Sequence, residues 1–168
     1  MLGYLLDTNA ASALWDARDE DHQKIKGFLE SIGDSPIFIS VVVISEVEYG
    51  LKRQSKLKEL TKKNIREEMS KFSEILSINK HTSDPYSNLR ARLFDRYLGS
   101  NKKWPEDLID RTTAKELGVQ ENDIWIASQA LQYNLILVSS DRMNCINEIS
   151  KKLTIELQII DWRKEANR

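Results

Sequence analysis

The chain has little of several things on which other classes of protein depend. It contains one cysteine, Cys145, and two histidines among 168 residues, which excludes an internal disulfide framework and a cysteine-rich zinc site. No stretch approaches the roughly 20 apolar residues that a membrane helix needs. The N-terminal MLGYLLDTN has no basic residue ahead of its short apolar run, so we expect no signal peptide. The expectation is therefore a cytoplasmic protein without membrane contact.

Motifs that bind nucleotides or activate a serine are missing too. There is no GxxxxGK[ST] and no GxGxxG, the glycine-rich loops that cradle phosphates. The serines of the apolar segments have no plausible histidine partner, which argues against a serine hydrolase. A phosphatase of the haloacid type usually has a second aspartate two residues after its first one, and here Asn9 stands at that position.

The charge is balanced overall but uneven along the sequence. The net charge of −1 is not typical of a protein that coats nucleic acid without specificity. Residues 51–66, however, carry seven basic side chains against the single acid Glu59, a local net charge of +6. Two interpretations stay open for this basic stretch: contact with a phosphate backbone, or a solvated helix face.

Short apolar runs alternate with segments of helical periodicity. Strands are predicted at residues 2–6, 36–40, 75–78, 135–138 and, as a final edge-like strand, 153–160. Helices are predicted at residues 9–17, 19–32, 41–53, 55–75, 86–98, 106–117 and 122–133, with a short one after Asp141. The alternation predicts one α/β domain over residues 1–168, a parallel sheet of four to five strands covered by helices, with an extended helical segment at about 81–118.

Four acids lie where a buried strand or turn should pass into a helix. They are Asp7 in LLDTN, Glu46 in ISEVEYG, Asp123 in ENDIWIA and Asp141 in LVSSDR. Ligands of open parallel sheets bind beyond the C-terminal ends of the strands, where Asp7 and Asp141 are expected. Gathered carboxylates repel one another unless a cation lies among them, and oxygen ligands suit a hard ion such as Mg²⁺. Such an ion would support phosphodiester hydrolysis.

Each acid also has a purely structural interpretation. Asp7, Asp123 and Asp141 can each serve as a helix N-cap, a position that commonly uses aspartate. Glu46 can face solvent, or pair with a basic residue one turn away. Its surroundings are apolar, however, and a carboxylate is costly to bury there without a partner. The set of four is therefore a stronger signal than any one of them.

These segments resemble PIN-domain ribonucleases, and in particular the VapC-type toxins of bacterial and archaeal toxin–antitoxin pairs. The matching segments are LLDTN, ISVVVISEVEYGL, NDIWIASQAL and LILVSSD, and their order and spacing fit nearly the whole chain. The resemblance implies a twisted parallel sheet with helices on both faces. It also implies an endoribonuclease that uses Mg²⁺, or Mn²⁺ in its place, to cut single-stranded regions of RNA.

The resemblance also assigns roles to residues. It makes a catalytic and metal-binding set of Asp7, Glu46, Asp123 and Asp141. In this set Asp7 and Asp123 would contact the metal directly, and the other two would act through water or hold a second ion. Asn9 fits the family's polar position two residues after the first acid, and Ser139 would orient water or a neighbouring carboxylate. A cognate antitoxin and a homodimer are the implied partners.

Two departures from the family pattern leave other functions open. The chain has an additional segment around residues 99–116, and Trp125 stands where small or aliphatic residues are usual, either as a core residue or to stack on a base. A non-catalytic module that binds RNA or protein is one alternative to the endoribonuclease. A structure-specific DNA nuclease is the other.

Overall fold

Parallel strands form the centre of the fold. The computed structural model describes residues 3–98, 120–140, 144–152 and 156–165. Within these ranges the strands are β1 (Tyr4–Leu6), β2 (Ile37–Ser40), β3 (Ile75–Leu76), β4 (Ile136–Val138) and β5 (Ile159–Ile160). All of them pair in parallel, in the order β3-β2-β1-β4-β5. The predicted parallel α/β sheet is thereby confirmed.

The central strand is β1, and its sequence explains this position. Its two leucines are fully buried, as a strand covered on both faces requires. Leu6 is in register with Ile39 of β2 on one side and with Val138 of β4 on the other. Strands β1 and β4 therefore end level with each other, and β2 extends one residue further, to Ser40. The residues that follow, among them Asp7 and Ser139, meet at one edge of the sheet, which we call the rim.

The helices fall into two groups around the sheet. In the described ranges they are α1 (Thr8–Trp15), α2 (His22–Ser31), α3 (Val41–Arg53), α4 (Glu59–Ser70), α5 (Ser83–Leu98), α6 (Glu121–Tyr133), α7 (Asn144–Ser150) and α8 (Trp162–Glu165). Helix α1 packs against α2, α3 and α4, whereas α5 packs against α6 and α7. The strand order runs outward from β1 in both directions. Because crossovers between parallel strands are right-handed, this order places the two groups on opposite faces.

Side-chain caps turn the chain from strand into helix at the rim. Asp7 is the N-cap of α1, where its Oδ1 accepts a hydrogen bond from the Ala10 N–H at 2.7 Å. Ser40 caps α3 and accepts from the Val42 N–H at 3.0 Å. Such caps satisfy N–H groups of the first turn that have no partner within the helix. Both helices therefore begin directly at the rim.

Several elements are shorter than their predicted ranges. Helix α4 covers Glu59–Ser70 rather than 55–75, because the chain before it turns, with the Leu57 N–H donating to the Gln54 carbonyl. In the described residues the final strand is limited to Ile159–Ile160, which pair with two residues of β4. Helix α6 begins one residue earlier than predicted, at Glu121.

Part of the predicted extension can be placed. Of the segment at about 81–118 the structure describes α5, and the predicted helix at 106–117 lies outside the described residues. Asp141 lies outside them as well. Among the described helices, none combines the length and apolar character that crossing a membrane demands.

Gly3→Ala is expected to destabilise the sheet. A Cβ at position 3 would lie 2.7 Å from Cε2 of Phe38 and 2.8 Å from Cδ2 of Leu135, which forces packed side chains to move. We expect the free energy of unfolding to fall by about 1–3 kcal/mol, measured by urea denaturation. Gly27→Ala is the matched control, since a Cβ there meets no atom within 4 Å, and alanine favours a helix interior by about 1 kcal/mol. Equal stability of both variants would contradict this account.

Candidate active site

Asp7 is a nearly buried carboxylate at the rim. It is 2% exposed, and its backbone N–H donates to the Val138 carbonyl at 3.0 Å. While Oδ1 caps α1, Oδ2 accepts a hydrogen bond from the Ser139 hydroxyl at 2.5 Å. A buried carboxylate needs such donors, because burial without them is costly. Asp7 is thus a helix cap and a rim carboxylate at once, and the two interpretations of it do not exclude each other.

Glu46 lies in the second turn of α3 and is half-buried. Its Oε2 accepts a hydrogen bond from the Thr8 hydroxyl, and its Oε1 accepts one from the side-chain amide of Asn122 at 2.7 Å. Both donors belong to other helices. Glu46 is thus neither a fully solvent-facing residue nor the partner of a basic residue one turn away, the two structural interpretations that the sequence allowed. Glu48, two residues later, pairs instead with Arg66.

Asp123 is the third residue of α6 and is partly buried. Its Oδ2 accepts a hydrogen bond from the backbone N–H of Gln120, the N-cap, at 2.7 Å. An acid that reaches back to the N-cap from this position completes a capping box. The interpretation of Asp123 as the N-cap itself is wrong, because the helix begins earlier.

The other predicted site residues differ in their surroundings. Ser139 is fully buried against Asp7. Asn9 is exposed in the first turn of α1. Asp141 follows Ser139 by two positions in the chain and, as stated, lies outside the described residues.

Hydrogen bonds join segments that are far apart in sequence. The Ser139–Asp7 bond spans 132 residues, the Thr8–Glu46 bond 38 and the Asn122–Glu46 bond 76. Because Thr8 directly follows Asp7, these bonds connect the end of β4 with α1, α3 and α6. We call this arrangement the rim site. Among the described residues, however, no three His, Cys, Asp or Glu side chains are grouped so that they could hold a metal ion.

The donor chemistry of the rim site fits a hard cation. Asp7 and Glu46 supply carboxylate oxygens, and the side chains that donate to them are hydroxyls and an amide. A carboxylate oxygen that accepts one hydrogen bond keeps further lone-pair capacity. Oxygen ligands of this kind are those that Mg²⁺ takes in proteins, together with water. Of the predicted acids, Asp7 and Glu46 accept hydrogen bonds within the rim site, whereas Asp123 accepts one from the Gln120 N–H.

Thr8 and Asn122, which hold Glu46 in the structure, were not predicted from the sequence. Their only sequence signal is position, since each is the immediate neighbour of a predicted acid. Their hydrogen bonds to Glu46 depend on how α1 and α6 pack beside α3, and no local pattern contains that information.

Ion pairs reduce the charge of the basic stretch at 51–66. Two acids outside the stretch pair with it: Arg66 donates two hydrogen bonds to Glu48, at 2.7 and 3.0 Å, and Lys63 pairs with Glu67 at 3.6 Å. Hydrogen bonding to the Arg66 guanidinium lowers the pKa of the Glu48 carboxyl below its usual value. These contacts offset part of the local charge of the basic stretch.

Trp125 stacks on Tyr86 of α5, with ring centroids 3.7 Å apart and an interplanar angle of 11°. Both rings are partly buried and pack against the hydrophobic core. One face of the indole is thus already covered by protein. This favours the core interpretation of Trp125 over base stacking.

Comparisons with known proteins agree with this fold. The PIN domain family matches residues 4–152, and no curated protein is a significant match. Among solved structures, VapBC2 from Rickettsia felis bound to a DNA fragment from their promoter is 24% identical, with 94% of this chain and 98% of that chain covered and a TM-score of 0.60. DNA-bound VapBC from Salmonella typhimurium is 19% identical, with 96% and 99% covered and a TM-score of 0.60. FitAcB from Neisseria gonorrhoeae is 18% identical, with 95% and 97% covered and a TM-score of 0.59. At these identities the likeness shows a shared fold.

Proposed function

The chain belongs to the PIN domain family, and on this premise we propose that it is a metal-dependent endoribonuclease, the toxin of a toxin–antitoxin pair. The observation that carries the proposal is the rim site. Segments far apart in sequence meet there around two carboxylates, Asp7 and Glu46, and each accepts hydrogen bonds from two donors. Burying a carboxylate costs free energy even where neutral groups donate hydrogen bonds to it. Such an arrangement is expected where the negative charge of the carboxylates binds a ligand.

The proposed role of the rim site is to hold oxygen ligands in a fixed arrangement around a divalent cation. The residues proposed to hold Mg²⁺, or Mn²⁺ in its place, are Asp7, Glu46, Asp123 and Asp141. A divalent cation bound there would lower the pKa of a water molecule and would stabilise charge on a phosphodiester oxygen. Ser139 restrains the Asp7 carboxylate, and Thr8 and Asn122 restrain Glu46 from two sides. Partners that orient ligands in this way commonly contribute 10–100-fold to metal affinity or activity.

Partners of the chain are proposed from the same family membership. The similar solved structures are of VapBC and FitAcB, and their fold extends over nearly the whole of this chain. We propose RNA as the substrate, a cognate antitoxin protein as the inhibitor, and a homodimer as the assembly. A short neighbouring reading frame that encodes a DNA-binding protein would support the antitoxin.

A second candidate is a non-catalytic module that binds RNA or protein. It is favoured by the finding that no three acids of the described residues are grouped for a metal ion. Calorimetric titration with Mg²⁺ and with Mn²⁺ separates the two candidates. Metal binding by the wild type, lost in Asp7→Asn, supports the nuclease, whereas the absence of metal binding supports the module.

Metal removal and choice of substrate test the proposal directly. We expect the purified protein to cleave single-stranded RNA in Mg²⁺ or Mn²⁺, to stop when EDTA is added, and to resume when the metal is restored in excess. Matched single-stranded DNA and a DNA flap should remain intact under the same conditions. If the protein cleaves the DNA flap and leaves RNA intact, it is a DNA nuclease and not an endoribonuclease. Cleavage that persists in EDTA would contradict metal dependence.

A further inference from the structure

A polar network joins α5 to the first turn of α6. The Glu121 carboxylate, at the first position of α6, accepts hydrogen bonds from the Tyr86 hydroxyl and from Arg90 Nη1. Arg90 Nη1 also donates to the Tyr86 hydroxyl at 2.5 Å, and its guanidinium carbon lies 5.8 Å from the centre of the Tyr86 ring. We call these three residues and Trp125, which stacks on Tyr86, the α5–α6 clamp.

The clamp grips α6 at two points one turn apart. Glu121 and Trp125 are separated by four residues, so they lie on the same face of the helix. Tyr86 contacts both of them, one through its hydroxyl and the other through its ring. Burial is the largest influence on the Tyr86 phenol and raises its pKa. The hydroxyl therefore keeps its proton and remains a donor at neutral pH.

The first turn of α6, which the clamp contacts, carries the proposed site residues. Glu121 immediately precedes Asn122, which donates to Glu46, and Asp123, which closes the capping box on Gln120. The first turn of a helix has N–H groups without helical partners, and helix ends tend to fray. Contacts that hold Glu121 therefore limit the movement of the next two side chains.

The partial exposure of the ion pair argues against stability as the main role of the clamp. The side chains of Arg90 and Glu121 are 34% and 39% exposed, and ion pairs with such access to water contribute little to stability. The reaction rate is far more sensitive to the position of these groups, because a displacement of about 1 Å at a reacting group can lower the rate by about 100-fold.

We infer that the α5–α6 clamp positions Asn122 and Asp123 in the rim site, and that Tyr86 and Arg90 are positioning residues for the reaction. The inference rests on the proposed nuclease function for its kinetic consequence. Its structural part, restraint of the first turn of α6, does not depend on catalysis.

The test compares Arg90→Met and Tyr86→Phe with Arg163→Met as the matched control. Arg163 also links two helices, since it pairs with Asp21, the N-cap of α2, at 2.8 Å. Its guanidinium likewise lies over an aromatic ring, that of Trp162, at 5.2 Å. Tyr86→Phe keeps the ring that stacks on Trp125, so that variant should fold even if Arg90→Met does not.

Two measurements are made on each variant. Amide hydrogen exchange is followed at Gln120, Asp123 and Ile124, and steady-state cleavage of RNA gives kcat and KM. Faster exchange at these amides and a fall in kcat of about 10-fold or more, the range for groups that orient ligands, are expected for Arg90→Met and Tyr86→Phe. KM should stay unchanged, and the control should match the wild type in both measurements.

Other outcomes overturn the inference in distinguishable ways. Unchanged exchange and kcat would show that the clamp does not restrain the site. A higher KM with unchanged kcat would indicate that these residues contact RNA directly. If the wild type cleaves no RNA, the proposed function fails, and the exchange measurement alone decides whether the clamp holds α6.

Discussion

Asp7→Asn is expected to abolish RNA cleavage while the protein stays folded. The substitution removes the negative charge that a metal ligand needs and changes the shape of the side chain very little. Charge stabilisation by a bound metal amounts to several kcal/mol. Since about 1.4 kcal/mol corresponds to a factor of ten in rate, we expect kcat/KM to fall by about 10³-fold or more.

The fold should tolerate this substitution for reasons visible at the rim. The asparagine carbonyl oxygen can still accept from the Ala10 N–H, because asparagine is as good an N-cap as aspartate. The amide nitrogen would then face Ser139, whose hydroxyl can rotate to accept a hydrogen bond. The thermal unfolding midpoint should therefore change little, and circular dichroism should remain that of the wild type.

Asp16→Asn is the matched control for Asp7→Asn. It makes the same chemical change at the other end of α1, where Asp16 is the C-cap residue and pairs with Arg18 at 2.6 Å. Cleavage by this variant should equal that of the wild type. Cleavage by Asp7→Asn at the wild-type rate in matched Mg²⁺ would show that the mechanism is wrong. If cells that express Asp7→Asn still stop growing, the proposed toxin function is separately contradicted.

Local patterns in the sequence were sufficient to predict the fold. The apolar run before Asp7 and the LILV segment form the buried strands β1 and β4, because only strands covered on both faces are apolar throughout. The single-residue shift at the start of α6 shows the limit of this reasoning. Gln120 is not a strong capping residue by type, and it serves as the N-cap because Asp123 completes the capping box with it.

The rim site could be predicted from the sequence only in part. The acids were visible because a carboxylate next to an apolar strand is unusual, but the residues that hold them were not. Thr8 and Asn122 are ordinary in helix starts, and their contacts with Glu46 arise from tertiary packing across 38 and 76 residues. The same is true of Tyr86, which stacks on Trp125 from a different helix. Local sequence therefore predicts which residues carry the acidic groups, but it does not predict which residues hold those groups in place.

Glu46→Gln should separate catalysis from stability in α3. Glutamine can accept from Asn122 through its oxygen and donate through its amide to the Thr8 hydroxyl, which is able to accept. Both links to neighbouring helices then persist, and the unfolding midpoint should change little. The charge is lost, however, and we expect kcat to fall by about 100-fold or more, the upper end of the range for groups that tune a metal site.

Glu48→Gln, two residues later, is the matched control with the opposite expectation. It breaks the pair with Arg66 that joins α3 to α4. Because these two side chains are 42% and 28% exposed, the free energy of unfolding should fall by about 1 kcal/mol at most, while kcat stays unchanged. Because Arg66 lowers the pKa of Glu48, this stabilisation is present above the ordinary glutamate pKa. It is lost as the pH falls through the lower pKa of the folded state. The difference in midpoint between Glu48→Gln and the wild type should therefore vanish in acid.

The two glutamates together distinguish a metal site from a structural network. If Glu46 only linked helices, Glu46→Gln would keep its hydrogen bonds and its activity. If it only stabilised α3 by charge, it would behave like Glu48 and lose stability in parallel with any loss of rate. A large fall in kcat without a change in midpoint, at one glutamate and not at the other, requires that the charge at position 46 act on the reaction.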